Sequence, residues 1–315
     1  MNPPTGTTDG ITLYAHQERL VEELPRYRII SWQVGVGKTL ASIALANRHD
    51  GAGSVLAVVP KGLVSRWEGD MRRYCAKPWL VLSKEKFKKL EASLPTCGCL
   101  ILDEAHNFFG VSSALSKAAR RYAKRPGVFS VLALTGTPFR GDPWNVYVAY
   151  ELLGRHVSYW DFRRRYFFEI KMGGRTVPKV RESALPALRQ MLAEVSSIVQ
   201  LSDCVDVPEQ VRETIVVDKT PEQARAIAQL EEWEPLARCI REQQLMGGVG
   251  EGGVPVPTAK DDALLSALGA APRAIVVAKF RGEMDRLERD VLPTLGRPIG
   301  VIHGDVVDRE AVLAR

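Results

Sequence analysis

The feature that most restricts how this chain can fold is an alternation. Between residues 27 and 134, five short apolar runs are separated by four amphipathic stretches. Residues 27–31, 54–59, 80–83, 99–102 and 129–134 have the length and the Val, Ile and Leu content of strands buried on both faces. Residues 38–48, 63–74, 84–92 and 112–124 repeat their apolar side chains every three or four positions, as a helix lying on a sheet requires. Strand-helix alternation of this kind predicts an α/β fold with a parallel, doubly wound sheet.

Beyond residue 153 the pattern changes. A basic, aromatic stretch runs from Asp161 through Arg163, Arg164, Arg165, Tyr166 and Phe167 to Phe168 and reads as helical, followed by a turn at Gly173. Residues 213–217 read as a strand, 221–242 as a helix, and the Gly- and Pro-rich residues 247–257 as a mobile loop. A second alternation then begins, with strands over 274–278 and 299–302, a helix over 282–291 and another from Asp308. The expected organisation is a first lobe over residues 1–153, a helical linker over 154–211 and the start of a second lobe over 212–315. A piece starting near Arg273 is too short to close a parallel sheet, so the second lobe is expected to be incomplete.

Composition sets the class. With 315 residues, 45% hydrophobic and 25% charged, the chain can bury two cores. Lys and Arg exceed Asp and Glu by 43 to 37, an excess of +6 that suits a polyanionic partner without requiring one. Its five cysteines are scattered and contain no CxxC pair, which points away from a disulfide framework or a zinc site and toward a reducing cytoplasm. No export signal and no stretch able to span a bilayer is seen, so no membrane partner is expected.

The strand ending at Ile29, Ile30 and Ser31 runs into Trp32, Gln33, Val34, Gly35, Val36, Gly37, Lys38, Thr39 and Leu40, the last of these opening a helix. This strand-loop-helix order is what a phosphate cradle needs. Glycines let backbone N–H groups approach the phosphates, Lys38 reaches the β- and γ-phosphates, and the Thr39 hydroxyl can bind Mg²⁺. The strict pattern places glycine where this chain has Trp32, although Gly35, Gly37, Lys38 and Thr39 keep the shorter form. By itself the segment could be a glycine-rich turn.

The fourth run ends in Asp103, Glu104, Ala105 and His106, at the carboxyl end of a strand, where open α/β sheets hold their ligands. Asp103 can hold Mg²⁺ through water, and Glu104 can orient and deprotonate the water that attacks the γ-phosphate. The fifth run ends in Thr135, Gly136, Thr137 and Pro138, which brings hydroxyls to the same edge.

With these segments in order, the chain resembles the superfamily-two helicases and translocases of the Swi/Snf type. The resemblance implies a RecA-like P-loop NTPase lobe followed by an incomplete second RecA-like lobe, ATP and Mg²⁺ as cofactors, ATP hydrolysis, and a nucleic-acid partner, in this family double-stranded DNA. On it, Gln17 is the adenine contact with Tyr14 and His16 as neighbours, and residues 34–40 hold the phosphates. Lys38, Asp103, Glu104 and His106 form the catalytic set, while Thr135, Gly136 and Thr137 couple nucleotide state to movement. Lys61 and Arg66, beside Pro60 and Trp67, resemble the segment that meets the nucleic-acid backbone, with Trp67 expected in the core rather than stacking on a base. Residues 203–208 resemble the entry to the second lobe, and residues 302–305 with Arg309 its glycine-arginine segment. Two departures stand out: Phe139, Arg140, Gly141 and Asp142 replace the usual continuation, and the chain stops before the family's last two motifs, which carry the arginines that reach the γ-phosphate. A C-terminally truncated bacterial or bacteriophage member is the resulting expectation.

Arg163, Arg164 and Arg165, beside Tyr166, Phe167 and Phe168, are the best additional candidates for phosphate contacts, the alternative being a solvated helix face. The leading functional reading is a DNA-stimulated ATPase that moves along DNA. The competing reading is a nucleotide- and DNA-binding module with negligible turnover, because an absent arginine finger costs about 10³ to 10⁵ in rate.

Overall fold

A computed structural model describes residues 6–8, 11–137, 143–172, 175–204, 211–231, 233–269, 271–306 and 312. The chain divides into two compact units, Met1–Glu209 and Gln210–Arg315.

In the first unit, β1 (Gly6–Thr8) and β2 (Ile11–Leu13) form a short antiparallel pair. There follow α1 (Ala15–Glu23), β3 (Tyr27–Trp32), α2 (Lys38–Arg48), β4 (Val55–Val59), α3 (Val64–Tyr74), β5 (Trp79–Ser83), α4 (Lys84–Leu90), β6 (Cys99–Asp103), α5 (Ala114–Ala123) and β7 (Ser130–Leu134). All five expected strands and all four expected helices are present within a residue or two. The chain continues through α6 (Trp144–Leu152), α7 (Tyr159–Tyr166), β8 (Phe167–Met172), β9 (Arg175–Val180), α8 (Leu185–Val195) and β10 (Ser196–Val199).

Six strands form one parallel sheet in the order β10-β3-β7-β6-β4-β5. The central strands β4, β6 and β7 are buried at every position, which is why their sequences are unbroken apolar runs. Their side chains still alternate between faces. Leu56, Val58, Leu100, Leu102, Val131 and Ala133 pack with Phe87 of α4 and Tyr122 of α5. Val55, Ala57, Val59, Cys99, Ile101, Leu132 and Leu134 pack on the other face with α2 and with Trp67 and Met71 of α3. Burying one such large apolar side chain is worth about 1.5–3 kcal/mol, so this two-faced core dominates the unit's stability. Because every strand runs the same way, the residues that follow β3, β4, β6 and β7 gather at one edge.

Two local elements differ from the expectation. The helical stretch stops at Tyr166, and Phe167 and Phe168 start β8, which pairs antiparallel with β9. Strand β10, not expected from sequence, adds to the sheet beside β3, with Ser196 opposite Ile29 and Val199 opposite Trp32. Its composition, Ser196, Ser197, Ile198 and Val199, suits an edge, and Ile198 remains 57% exposed.

The second unit contains α9 (Pro221–Ala228), α10 (Pro235–Met246), α11 (Lys260–Gly269) and α12 (Arg281–Arg286), the last continuing as a π-helical turn over Leu287–Val291. The single helix expected over 221–242 is two, since Glu234 caps a new N-terminus and Pro235 begins it. The strands expected over 213–217, 274–278 and 299–302 are not formed among the described residues. A strand exists only where another backbone accepts its N–H and C=O groups. Among the described residues no ladder meets these segments, and Val216, Ile275 and Val277 are 86%, 93% and 89% exposed. The expected mobile loop over 247–257 instead contains a bridge between Val249 and Pro255. Gly173, Pro138, residues 139–142, 205–208, Asp308 and Arg309 lie outside the described residues.

Candidate functional site

The loop between β3 and α2 turns on two glycines with left-handed backbone, Gly35 at φ +89° and Gly37 at φ +83°, the latter capping α2. No side chain caps that helix, so the N–H groups of its first turn keep their donors for an anion. Trp32 is not part of the loop. It ends β3, is fully buried, and donates its indole N–H to Ser197 Oγ at 3.0 Å. Glycine is therefore not needed at this position, where the chain is still a strand. Lys38 folds back and donates to the carbonyls of Trp32 and Gln33 at 2.9 and 3.0 Å. Burial holds the Lys38 ammonium below the ordinary lysine range, while first Glu104 and then Asp103 draw it upward. Of the remaining loop residues, Val34 is exposed, Val36 is buried, and Thr39 and Leu40 are half-buried, with Leu40 against the core.

Asp103 ends β6 and is 8% exposed. Trp67 donates its indole N–H to Asp103 Oδ2 at 3.0 Å, and the Glu104 N–H is 2.9 Å from Oδ1. Burial pushes the Asp103 carboxyl up from its usual range, and those two donors oppose the shift. Each carboxylate oxygen has a second lone pair for a water or an ion. Glu104 has a left-handed backbone at φ +49°, which costs a non-glycine residue about 1–2 kcal/mol. The strain bends the chain off the strand, so that Asp103 stays buried while the neighbouring carboxylate is half-exposed.

Beyond the bend lies a relay of polar groups. His106 Nδ1 is 3.1 Å from Thr135 Oγ1 and 3.4 Å from Glu104 Oε2. Thr135 is fully buried, and its hydroxyl also accepts the Thr137 N–H at 3.1 Å. The Thr135 N–H donates to the Ile30 carbonyl at 3.1 Å, which ties this turn to β3, the strand that leads into the phosphate loop. The sheet supplies the geometry: Asp103 is opposite Leu134 in the ladder, and Ile30 is opposite Leu134 on the other side.

The segment read as the adenine contact packs against the same loop. Gln17 is buried, donates to the Gly37 carbonyl at 3.1 Å and accepts from the Tyr14 N–H at 2.9 Å. A side chain at Gly37 would displace the Gln17 amide, and its φ of +83° favours glycine in any case. His16 Nε2 meets the Val36 carbonyl at 3.0 Å, and its ring stacks on Tyr14 and lies edge-on to Trp32. Cys204, just after β10, is 3.4 Å from His16 Nδ1.

The basic candidates separate into two groups. Lys61 and Arg66 are exposed immediately after β4, at the carboxyl edge of the sheet. The arginines of α7 have local partners. Arg163 pairs with Glu169, Arg164 pairs with Asp161, and Arg165 is exposed over the Tyr166 ring. Phe162, Tyr166 and Phe167 anchor this helix in the core as expected. Sequence reasoning passed over Asn107, and it read Trp67 as core without its hydrogen bond to Asp103, 36 residues away.

A hard oxygen-ligated cation fits the Thr39 hydroxyl and the Asp103 carboxylate better than a softer metal would. Among the described residues, no group of three or more His, Cys, Asp or Glu could hold a metal by itself. No helix among them is long and apolar enough to cross a membrane.

No protein-family model and no curated protein matches this chain. Among solved structures, it is similar to the SWI2/SNF2 ATPase core of Sulfolobus solfataricus in complex with double-stranded DNA. The TM-score is 0.53 and the identity 15%, over 98% of this chain and 76% of that one. It also matches the Hef helicase domain of Pyrococcus furiosus at a TM-score of 0.39 and 21% identity, over 44% of this chain and 35% of that one. The first likeness, together with the six-stranded parallel sheet and its flanking helices, shows the fold: the chain is an α/β protein with a RecA-like architecture.

Proposed function

We propose that this protein is an ATP hydrolase of the helicase and translocase class, which binds Mg²⁺ and ATP at the carboxyl edge of the first unit's sheet and tracks the backbone of double-stranded DNA. The observation that carries the reading is the convergence of Lys38, Asp103, Glu104 and His106 on one sheet edge, close enough that both carboxylates act on the Lys38 ammonium.

In this reading the N–H groups of residues 34–40 and the Lys38 ammonium hold the phosphates, and Lys38 exchanges its two carbonyl partners for phosphate oxygens. Thr39 and Asp103 would hold Mg²⁺, which when bound neutralises charge on the β- and γ-phosphates. Glu104 orients a water and accepts its proton. His106 and Thr135 link that carboxylate to the turn through Gly136 and Thr137. Tyr14, His16 and Gln17 brace the loop from the side on which the base is expected. Lys61 and Arg66 contact the nucleic-acid backbone, with Arg163, Arg164 and Arg165 a second surface. Duplex DNA is favoured because the structural neighbour is a complex with double-stranded DNA.

The test is steady-state ATP turnover with and without duplex DNA, in the wild type and in Lys38→Ala. Turnover that rises with duplex DNA, declines with salt and disappears in Lys38→Ala is expected. Turnover unchanged in Lys38→Ala would sink the proposal.

A further inference from the structure

We infer that Asn107 is a positioning residue that sets the tautomer of His106 and thereby fixes the direction of the hydrogen-bond relay from Glu104 to Thr135. Asn107 Nδ2 is 3.0 Å from the Glu104 carbonyl oxygen and 3.0 Å from His106 Nε2. A carbonyl oxygen can only accept, so the nitrogen end of the amide, with its two hydrogens, must face it. The same nitrogen then presents its second hydrogen to His106. Nε2 must accept this hydrogen, so in the neutral imidazole the proton is on Nδ1.

Its position determines what the ring can do. Nδ1–H faces two acceptors, Thr135 Oγ1 at 3.1 Å and Glu104 Oε2 at 3.4 Å. Thr135 Oγ1 accepts from this donor and from the Thr137 N–H, which leaves the hydroxyl hydrogen as its one remaining donor. In the opposite tautomer, a bare Nδ1 lone pair would face the Glu104 carboxylate, replacing an attraction with a repulsion. Asn107 also holds the strained residue: its backbone N–H and its side chain both donate to the carbonyl of left-handed Glu104, at 3.1 and 3.0 Å. One exposed amide thus fixes both the carboxylate's backbone and the histidine's proton.

The consequence for turnover rests on the proposed ATPase reading, whereas the tautomer itself does not. The experiment is long-range ¹H–¹⁵N correlation of the imidazoles in uniformly ¹⁵N-labelled full chain at about pH 8, where an ordinary histidine is neutral. His106→Gln assigns the signal among the five histidines. The wild type is expected to show a protonated, pyrrole-type Nδ1 and a bare, pyridine-type Nε2. Asn107→Asp, whose carboxylate can only accept, is expected to reverse the two. A wild-type His106 protonated on Nε2, or averaged between the two forms, overturns the inference, and so does an Asn107→Asp spectrum identical to wild type. In parallel, Asn107→Asp should lower kcat for ATP about tenfold with KM unchanged, the scale of one misdirected hydrogen bond. If the predicted spectra are obtained but no protein hydrolyses ATP, the ATPase reading fails and the assignment of Asn107 stands.

Discussion

Removing the indole N–H of Trp67 tests whether the Asp103 carboxylate is held in place by a side chain 36 residues earlier in the sequence. Trp67 is 2% exposed, and its bond to Asp103 Oδ2 is 3.0 Å long. A hydrogen bond to an ionised group contributes about 1.5–3 kcal/mol. Trp67→Phe also leaves a small cavity, a cost unrelated to Asp103. A double-mutant cycle with Asp103→Ala cancels it and isolates the coupling, which should be about 2 kcal/mol, or roughly 30-fold in the opening equilibrium. The assay is urea-dependent hydrogen exchange of the β6 amides, which reports the first unit alone.

The pH dependence of this coupling has a definite sign. Burial raises the Asp103 carboxyl above 3.8, against the pull of Trp67 and the Glu104 N–H. A carboxyl raised in the folded state lowers stability as pH climbs from 3.8 through the raised value, because the folded form holds its proton longer than the unfolded form. Loss of the Trp67 donor raises the folded value further. Trp67→Phe should therefore lose most relative to wild type on the high side of that window, and the gap should narrow toward 3.8. A coupling below about 0.5 kcal/mol at neutral pH, or one that grows on acidification, would refute this account of Asp103.

Three further predictions concern the loop and the charged surface. Because burial lowers the Lys38 ammonium from 10.5, against Glu104 and Asp103, its charge is lost as pH rises through the lowered value; titrated ATP affinity should weaken before pH 10.5 is reached, and a flat profile would contradict this. Gly37→Ala places a side chain at φ +83° against the Gln17 amide and breaks the Gln17 bonds to Gly37 and Tyr14. The loss should be about 2–3 kcal/mol, seen as a Tm lower by about 5–10 °C, whereas Gly35→Ala, with room around it, should cost about half as much. Lys61→Ala with Arg66→Ala should flatten the salt slope of duplex binding by about 1.8, while Arg164→Ala should flatten it by less than about 0.9, since Asp161 already shares its charge; a slope unchanged in the double variant would show that these charges do not act where proposed.

The first unit was legible because each of its apolar runs has a neighbour to pair with. Residues 99–102 and 129–134 read as buried strands, and they are buried strands because other strands flank both. Residues 274–278 have the same local character and no ladder among the described residues, and Ile275 and Val277 face solvent; pairing is a tertiary fact that an apolar run does not carry. Strand β10 failed the other way, since Ser196 and Ser197 conceal a strand whose place is set by β3. The β8–β9 pair had a signal, two runs of alternating residues around Gly173, but the preceding arginines extended a helical pattern over its start. That Lys38, Asp103, Glu104 and Thr135 gather at one sheet edge was readable because each lies at or just beyond the carboxyl end of a strand in a parallel sheet. Trp67 and Asn107 were not, because their roles depend on where an indole and an amide nitrogen point.

The central claim is that Glu104 serves the chemistry and Lys38 the binding at one site. Its most direct test is to measure Mg²⁺-ATP affinity and turnover together in Glu104→Gln. Affinity close to wild type with turnover lower by at least about 10²-fold is predicted, the scale of losing a positioned general base. Turnover equal to wild type at unchanged affinity would contradict the claim.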